Sequence, residues 1–231
     1  MNRDIVYIIK DGIASEELKY SLRTVEANFS HRLVWFVGGR CIGLKPDREL
    51  RHSQTGPTKW DRIKSSMLEV VKQDELSDEF FLFNDDFFVM KPFEGKFVNY
   101  IDRSLEDRIQ DFYKERGSLN RYAHSLWHTE NELKLKGQST HNFEVHIPML
   151  LNKSKALEIL SKYQAPQLRS LYGNVSGCEV IDRPDVKVNS MDMVPDDADF
   201  ISTNDNTFCM GRIGEYIRET FKTPSRFEVR Q

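Results

Sequence analysis

The segment 79–92, EFFLFNDDFFVMKP, carries an apolar run directly into Asn84, Asp85 and Asp86. A continuous aromatic and aliphatic run such as Phe80–Phe83, bounded by polar residues, suits a short strand covered on both faces. The polar triplet then stands at a strand end. Two adjacent carboxylates repel each other and resist burial, so a folded chain holds them together most readily when a divalent cation or a dense set of donors neutralises them. Oxygen-only ligands favour Mg2+ or Mn2+, metals that commonly share their coordination with substrate phosphates, which points to nucleotide diphosphate chemistry. Asn and Asp are also the residues turns prefer, and the triplet alone fits a plain turn as well.

A chain of 231 residues supports one sizeable α/β domain, or a core domain with an inserted lobe. Charged residues make up 30% while the net charge is only -3, so no global field selects nucleic acid or an anionic membrane. Cys41, Cys178 and Cys209 are odd in number, far apart and without CxxC spacing, which argues against a disulfide framework and a zinc site. A reducing, cytoplasmic location is expected. The apolar run in MNRDIVYIIKDG is too short for a signal or spanning segment, so membrane contact is expected to be peripheral at most, at the inner face of the plasma membrane.

Asp4–Ile9 reads as a first buried strand closed by Lys10, Asp11 and Gly12. Ser15 is placed to cap a helix over 15–28, with Glu16 and Glu17 in its first turn and Leu18, Leu22 and Val25 at helical spacing. Leu33–Val37 is a second strand, followed by Gly38 and Gly39. Strand, helix, strand is the βαβ unit of a mostly parallel sheet, in which ligands gather at strand carboxyl ends, here near Asp11 and the glycine pair. The glycines suit either a close approach to a nucleotide or a turn. Residues 40–57 lack a clear period and read as a surface loop. Thr58 caps a further helix with Asp61 at its third position and Trp60, Ile63, Met67, Val70 and Val71 on one face.

From Asn99 the texture becomes polar and charged, and residues 99–140 are expected to form an inserted helical lobe that contacts an acceptor. His124 and His128 would share a helix face; lacking the intervening glutamate of a metalloprotease motif, they read as surface or acceptor-contacting residues. In HNFEVHIP, residues 141–148, Phe143, Val145 and Ile147 alternate with Glu144 and His146, predicting a strand with carboxylate and imidazole on one face. Such a pair suits a general base for a hydroxyl, and equally an ordinary polar strand face. Arg169 lies in LRSLYGNVSG, read as a turn in which a guanidinium could clamp a phosphate. The run Glu179–Asp199 is acidic and irregular and reads as surface. FISTNDNTF, from Phe200, echoes the first motif with Asn204, Asp205 and Asn206, and Ile213, Tyr216, Ile217 and Phe221 mark a last amphipathic helix.

Taken in order, these segments resemble the Stealth family of capsular polysaccharide phosphotransferases and N-acetylglucosamine-1-phosphotransferases. DIVYIIKDG is similar to the family's first region, and ELKYSLRTVEANF with the path from RHS at Arg51 through PTKW to DEFFLFNDDFF to its second. HIPMLL and LRSLYGNVSG are similar to the third, and FISTNDNTF with FKTPSRFE to the fourth. The chain resembles a compact member, with shorter stretches between the regions.

The resemblance implies a nucleotide-diphosphosugar-transferase (GT-A)-like α/β core and a metal-assisted transfer in surface polysaccharide synthesis. The donor would be a nucleotide diphosphate sugar, and the acceptor a glycan or lipid-linked glycan. It further implies Asp85, Asp86 and Asp205 as ligands of Mg2+ or Mn2+ and Asp86, His146 and Glu144 as catalytic. Asp11, Gly12, Arg23, Arg169 and Asn204 would bind substrate. Attack at the β-phosphorus would move a sugar 1-phosphate and expel a nucleoside monophosphate; attack at the anomeric carbon would move the sugar and expel a diphosphate. A non-catalytic sugar- or nucleotide-binding module is the remaining alternative.

Overall fold

The computed structural model describes residues 3–229. In β1 (Asp4–Ile9), Ile5, Tyr7 and Ile9 face one side of the sheet and Val6 the other, and both sides are buried, as a central strand requires. α1 (Glu16–Asn28) starts where Ser15 Oγ accepts from Leu18 N at 3.1 Å. β2 (Val34–Gly38) then pairs parallel with β1. The expected loop over 40–57 contains a short strand, β3 (Arg48–Arg51), parallel to β2. Its sequence RELR gives no apolar signal because it is an exposed edge, where charged side chains discourage further pairing.

α2 (Lys59–Val70) opens on the capping box of Thr58 and Asp61. The chain then crosses to the far side of β1, where β4 (Glu79–Phe83) pairs parallel with it, and β5 (Phe87–Val89) follows the Asn-Asp-Asp triplet. Next come β6 (Asn99–Ile101), α3 (Leu105–Arg116) and α4 (Arg121–Leu135). The two helices are not peripheral: Leu105, Ile109, Leu126 and Leu133 join the apolar cluster built on Val6, Phe80 and Leu82. β7 (Met149–Asn152) closes the other edge antiparallel to β4, giving the order β3-β2-β1-β4-β7. The protein is thus a mixed α/β fold with a mostly parallel central sheet flanked by helices.

After α5 (Lys153–Lys162), the stretch read as a turn is a helix, α6 (Leu168–Ser176), stopped by Gly177 at φ +64°. Leu168, Leu171, Tyr172 and Val175 recur at helical spacing and bury one face, which outweighs the turn-forming Gly and Asn between them. β8 (Val180–Asp182) pairs with β6, and β9 (Phe200–Ser202) pairs antiparallel with β5. α7 (Asp205–Met210) and α8 (Arg212–Thr220) pack over that pair, with Phe88 and Phe208 stacked at 5.6 Å. Tyr216, expected to point inward, is on the exposed face of α8, while Ile213 and Ile217 are buried.

The sequence HNFEVHIP is not a strand. Phe143, Val145 and Ile147 are buried in alternation, yet amides of this segment are met by side chains: Phe143 N donates to Ser170 Oγ and His146 N to Asp185 Oδ1. The alternation was real, but the ladder partner was not. All three cysteines are free, and among the described residues no helix is long and apolar enough to cross a membrane.

Candidate active site

Chain order reverses between β1 and β4: β2 and β3 add to one side of β1, then α2 carries the chain across to β4 on the other. Such a switch point opens a crevice at the strand carboxyl ends. A cleft of about 860 Å3 lies there, entered past Ile8 at the end of β1 and Leu82 and Phe83 at the end of β4. Asn84, Asp85, Asp86, Glu144, His146 and Arg169 all line it.

Asp86 is drawn against the second Asn-Asp segment by the β5–β9 pairing. Phe87 is opposite Ser202, Thr203 N donates to the Asp86 carbonyl, and Ser202 Oγ donates to Asp86 Oδ2 at 3.0 Å. Lys187 Nζ donates to the same oxygen at 2.9 Å. Asp86 Oδ1 is buried with no hydrogen-bond partner among the described residues. Asp85 reaches the solvent of the cleft, but the surrounding walls desolvate it and Asp86 and Asp205 add negative charge, pushing its carboxyl up to about 6. Glu17, on the first turn of α1, meets the same group. Burial, a shared hydrogen bond with Asp205 and the charges of Asp86 and Asp85 raise it to about 7, against the hydrogen bond donated by Thr203 Oγ1 at 2.7 Å.

His146 is held by a residue the sequence reading treated as surface. Its Nδ1 lies 2.8 and 2.9 Å from the two oxygens of Asp185. An ionised carboxylate only accepts, so Nδ1 carries a proton, and in the neutral ring the lone pair is then on Nε2, the tautomer of a base. Burial pushes Asp185 up, but the bonds from the His146 ring, the His146 amide and the Lys187 amide outweigh it and hold the carboxyl below its ordinary range. The Phe87 ring packs edge-on to His146 at 6.2 Å.

Asp185 and Lys187 reach the cleft together for a simple reason. Val188 N donates to Ser202 O and Ser202 N to Val186 O, so residues 186–188 run along β9 as an added extended segment. Val186 and Val188 turn to the core, whereas Asp185, Lys187 and Asn189 turn to the cleft. The polar-apolar alternation DVKVN carried that signal within the run read as irregular.

Several expected site residues take other roles. Glu144 does not hold His146; its Oε1 accepts from Ser170 N at 3.0 Å, capping the first turn of α6. Arg169 is buried with its guanidinium committed to protein oxygens: Nη1 to Ile147 O at 2.9 Å, Nη2 to Leu82 O at 3.1 Å and to Asn84 Oδ1 at 3.2 Å. Burial lowers it to about 10, which keeps it charged at neutral pH, and it sits over Phe87 at 5.1 Å. It braces the cleft wall rather than extending from a turn as a free clamp. Asn204 is the cap of α7, accepting from Thr207 N at 3.1 Å.

Asp11 and Gly12 do not reach the cleft. Asp11 Oδ1 accepts from Arg40 N and Gly12 N donates to Arg40 O, which ties the loops after β1 and β2 together. The glycine pair serves that same contact, since a Cβ on Gly39 would lie 2.4 Å from Asp11 N. Arg23 is also elsewhere. Its Nε and Nη2 donate to the Glu228 carboxylate at 2.7 Å each and Nη1 to Phe221 O at 2.9 Å, pinning the C-terminal segment to α1.

The outer wall of the cleft is aromatic and basic. Lys59 Nζ stands 5.1 Å from the Trp60 ring centre and 5.9 Å from that of Tyr122, and the Arg108 guanidinium lies 4.8 Å from Phe112. The cleft therefore carries both signs of charge, with Asp85 and Asp86 beside Lys187 and Arg169 at the strand ends and Lys59 and Arg108 on aromatic faces.

No family model matches this chain, and no curated protein matches its sequence. Among solved structures, mouse xyloside xylosyltransferase 1 in its apo form is similar at 10% identity and a TM-score of 0.39, covering 90% of this chain and 99% of that one. The glycosyltransferase GlyE of Streptococcus pneumoniae TIGR4 is similar at 10% identity and a TM-score of 0.31, covering 55% of this chain and 42% of its own.

Proposed function

We propose that this chain is a nucleotide-sugar-dependent transferase whose base is His146 and whose donor diphosphate binds at Asp85 and Asp86. The observation that carries this reading is the His146–Asp185 pair sharing one cleft, at the sheet's switch point, with Asp85 and with Asp86, whose Oδ1 has no partner among the described residues. A binding module has no need of an imidazole held in its basic tautomer.

The residues present fit a hard divalent cation in part. Asp86 Oδ1 is buried and has no partner among the described residues, and Asp85 is raised by desolvation and then by its acidic neighbours, so positive charge would relieve both. Among the described residues no group of three carboxylate, histidine or cysteine side chains is arranged to enclose an ion. Mg2+ or Mn2+ held by Asp85 and Asp86 would take its remaining ligands from water and the donor phosphates, and would supply charge neutralisation there. Asp205 is exposed and shares its hydrogen bond with Glu17, so it adjusts the local charge from outside that pair.

In the favoured reaction His146 Nε2 takes the proton of an acceptor hydroxyl as the acceptor oxygen bonds to the β-phosphorus. The bond from that phosphorus to the bridging oxygen breaks, and a nucleoside monophosphate leaves. Asp185 stabilises the imidazolium that forms. The four-region resemblance supports transfer of the sugar 1-phosphate to a surface glycan. One observation favours the second reading, transfer of the sugar itself: Arg169 is occupied by backbone carbonyls, which leaves the transferring phosphoryl group one clamp fewer.

Nucleotide release from a panel of nucleotide diphosphate sugars, with Mg2+ or Mn2+ and glycan acceptors, tests this. Acceptor-dependent monophosphate is expected; diphosphate moves the chain to glycosyl transfer, and no release from any donor refutes the transferase. In Asp185→Asn the amide would donate to Nδ1, reversing the tautomer, and kcat is expected to drop by about 10^2–10^4 with donor affinity retained.

A further inference from the structure

Beside the cleft runs a second cavity of about 650 Å3 between the start of α2 and the outer stripe of α4. Trp60 and Pro166 line both cavities, so the two adjoin at those residues. α4 has two faces. Ala123, Leu126, Thr129 and Leu133 are buried toward the core, while Arg121, His124, His128 and Leu135, spaced at helical turns, line the groove from the exposed side.

The lining defines the ligand. The Asp61 carboxylate is engaged by Thr58 N and Oγ1 at 3.0 and 2.6 Å, and Glu132 accepts from Gln164 N at 2.9 and 3.1 Å. Among the groove's own lining residues two carboxylates face one guanidinium, a balance that favours an uncharged ligand over a phosphate or nucleotide. What remains is an indole face, a proline, two imidazoles and the Asn131 amide, a set that stacks on flat C–H surfaces and hydrogen-bonds paired hydroxyls. The volume lies within the range of pockets that enclose small organic ligands.

We infer that the α4 groove is a subsite for an uncharged oligosaccharide, which passes over Trp60 so that its terminal hydroxyl enters the cleft. This rests on the transferase reading in one respect only, that the glycan is the acceptor.

The test is binding of maltotriose, cellotriose, xylotriose and chitotriose at millimolar concentration, followed through the imidazole resonances of His124 and His128 and the indole N–H of Trp60. UDP with Mg2+ is the probe of the cleft. At least one trisaccharide is expected to shift all three signals. His124→Ala/His128→Ala, which changes two exposed side chains, is expected to weaken that trisaccharide about tenfold, the loss of roughly two hydrogen bonds, with UDP affinity unchanged. No shift with any trisaccharide, or trisaccharide binding indifferent to the double substitution, overturns the assignment. Groove binding in a chain that turns over no donor keeps the subsite and removes the transferase. Turnover accompanied by no glycan effect at α4 does the reverse.

Discussion

Asp4 and the pair Asp85–Asp86 stand at opposite ends of the same two strands, and the sheet treats them differently. At the amino end, Asp4 is fully buried and its oxygens are saturated. Arg32 donates through Nε at 2.8 Å and Nη2 at 2.7 Å, Trp35 Nε1 at 3.0 Å and Ser77 N at 3.0 Å. At the carboxyl end, Asp86 has one oxygen met by Lys187 and Ser202 and one with no partner among the described residues, and Asp85 is raised by desolvation and then by acidic neighbours. A carboxylate whose acceptor capacity is filled is a structural joint. One left short of positive charge keeps capacity for a ligand, and the fold gives up stability there.

The contrast is testable from its largest consequence downward. His146→Ala removes the proposed base beside Asp85 and Asp86, and kcat is expected to fall by about 10^2–10^4 while donor affinity, measured by titration, stays within a few-fold. Equal loss of both would make His146 a packing residue. At the other end, Asp4→Asn sets an amide N–H against groups that only donate and leaves Arg32 without its counter-charge. A loss of about 3 kcal/mol in urea unfolding is expected, with no change in donor binding. A loss below 1 kcal/mol would end the claim that Asp4 is a joint.

Substitutions in the carboxylate group should act in the opposite direction. Glu17 is raised from 4.5 to about 7, so the native state holds the proton more tightly than the unfolded one, and stability is lost as pH rises from 4.5 through 7. Glu17→Gln stays neutral, and after solvent screening of a half-buried group it is expected to gain about 1.5 kcal/mol at pH 8 and nothing below pH 4. Asp85→Asn follows the same sign over a lower window, from 3.8 through 6. Its carboxylate reaches solvent, so the gain above pH 6 is smaller, about 1 kcal/mol. Chemical denaturation across pH checks both, and a variant less stable than the parent at pH 8 would show that its carboxylate is already neutralised.

Much of the site was legible where one short segment carried the whole signal. EFFLF before Asn-Asp-Asp placed Asp85 and Asp86 at a strand end, and Ser15 and Thr58 stand where the expected helices begin. Partnerships between distant segments were not. The sequence neighbour Glu144 looked like the natural partner of His146, yet the imidazole pairs with Asp185, 39 residues away. Arg169 read as an available guanidinium because a sequence does not reveal which carbonyls end unpaired beside it. Arg23 became a tether because the C-terminal segment returns to α1.

The amino-acid sequence by itself determined the α/β class, the strand that leads into the paired carboxylates and the starts of α1 and α2, because those follow from local periodicity and capping chemistry. Only the tertiary structure decided that the cleft opens between β1 and β4, that residues 186–188 extend the β9 pair, and that Asp185 rather than Glu144 orients His146. Those outcomes depend on which buried donors and acceptors remain unsatisfied once every strand has found its partner, a balance set by the whole fold.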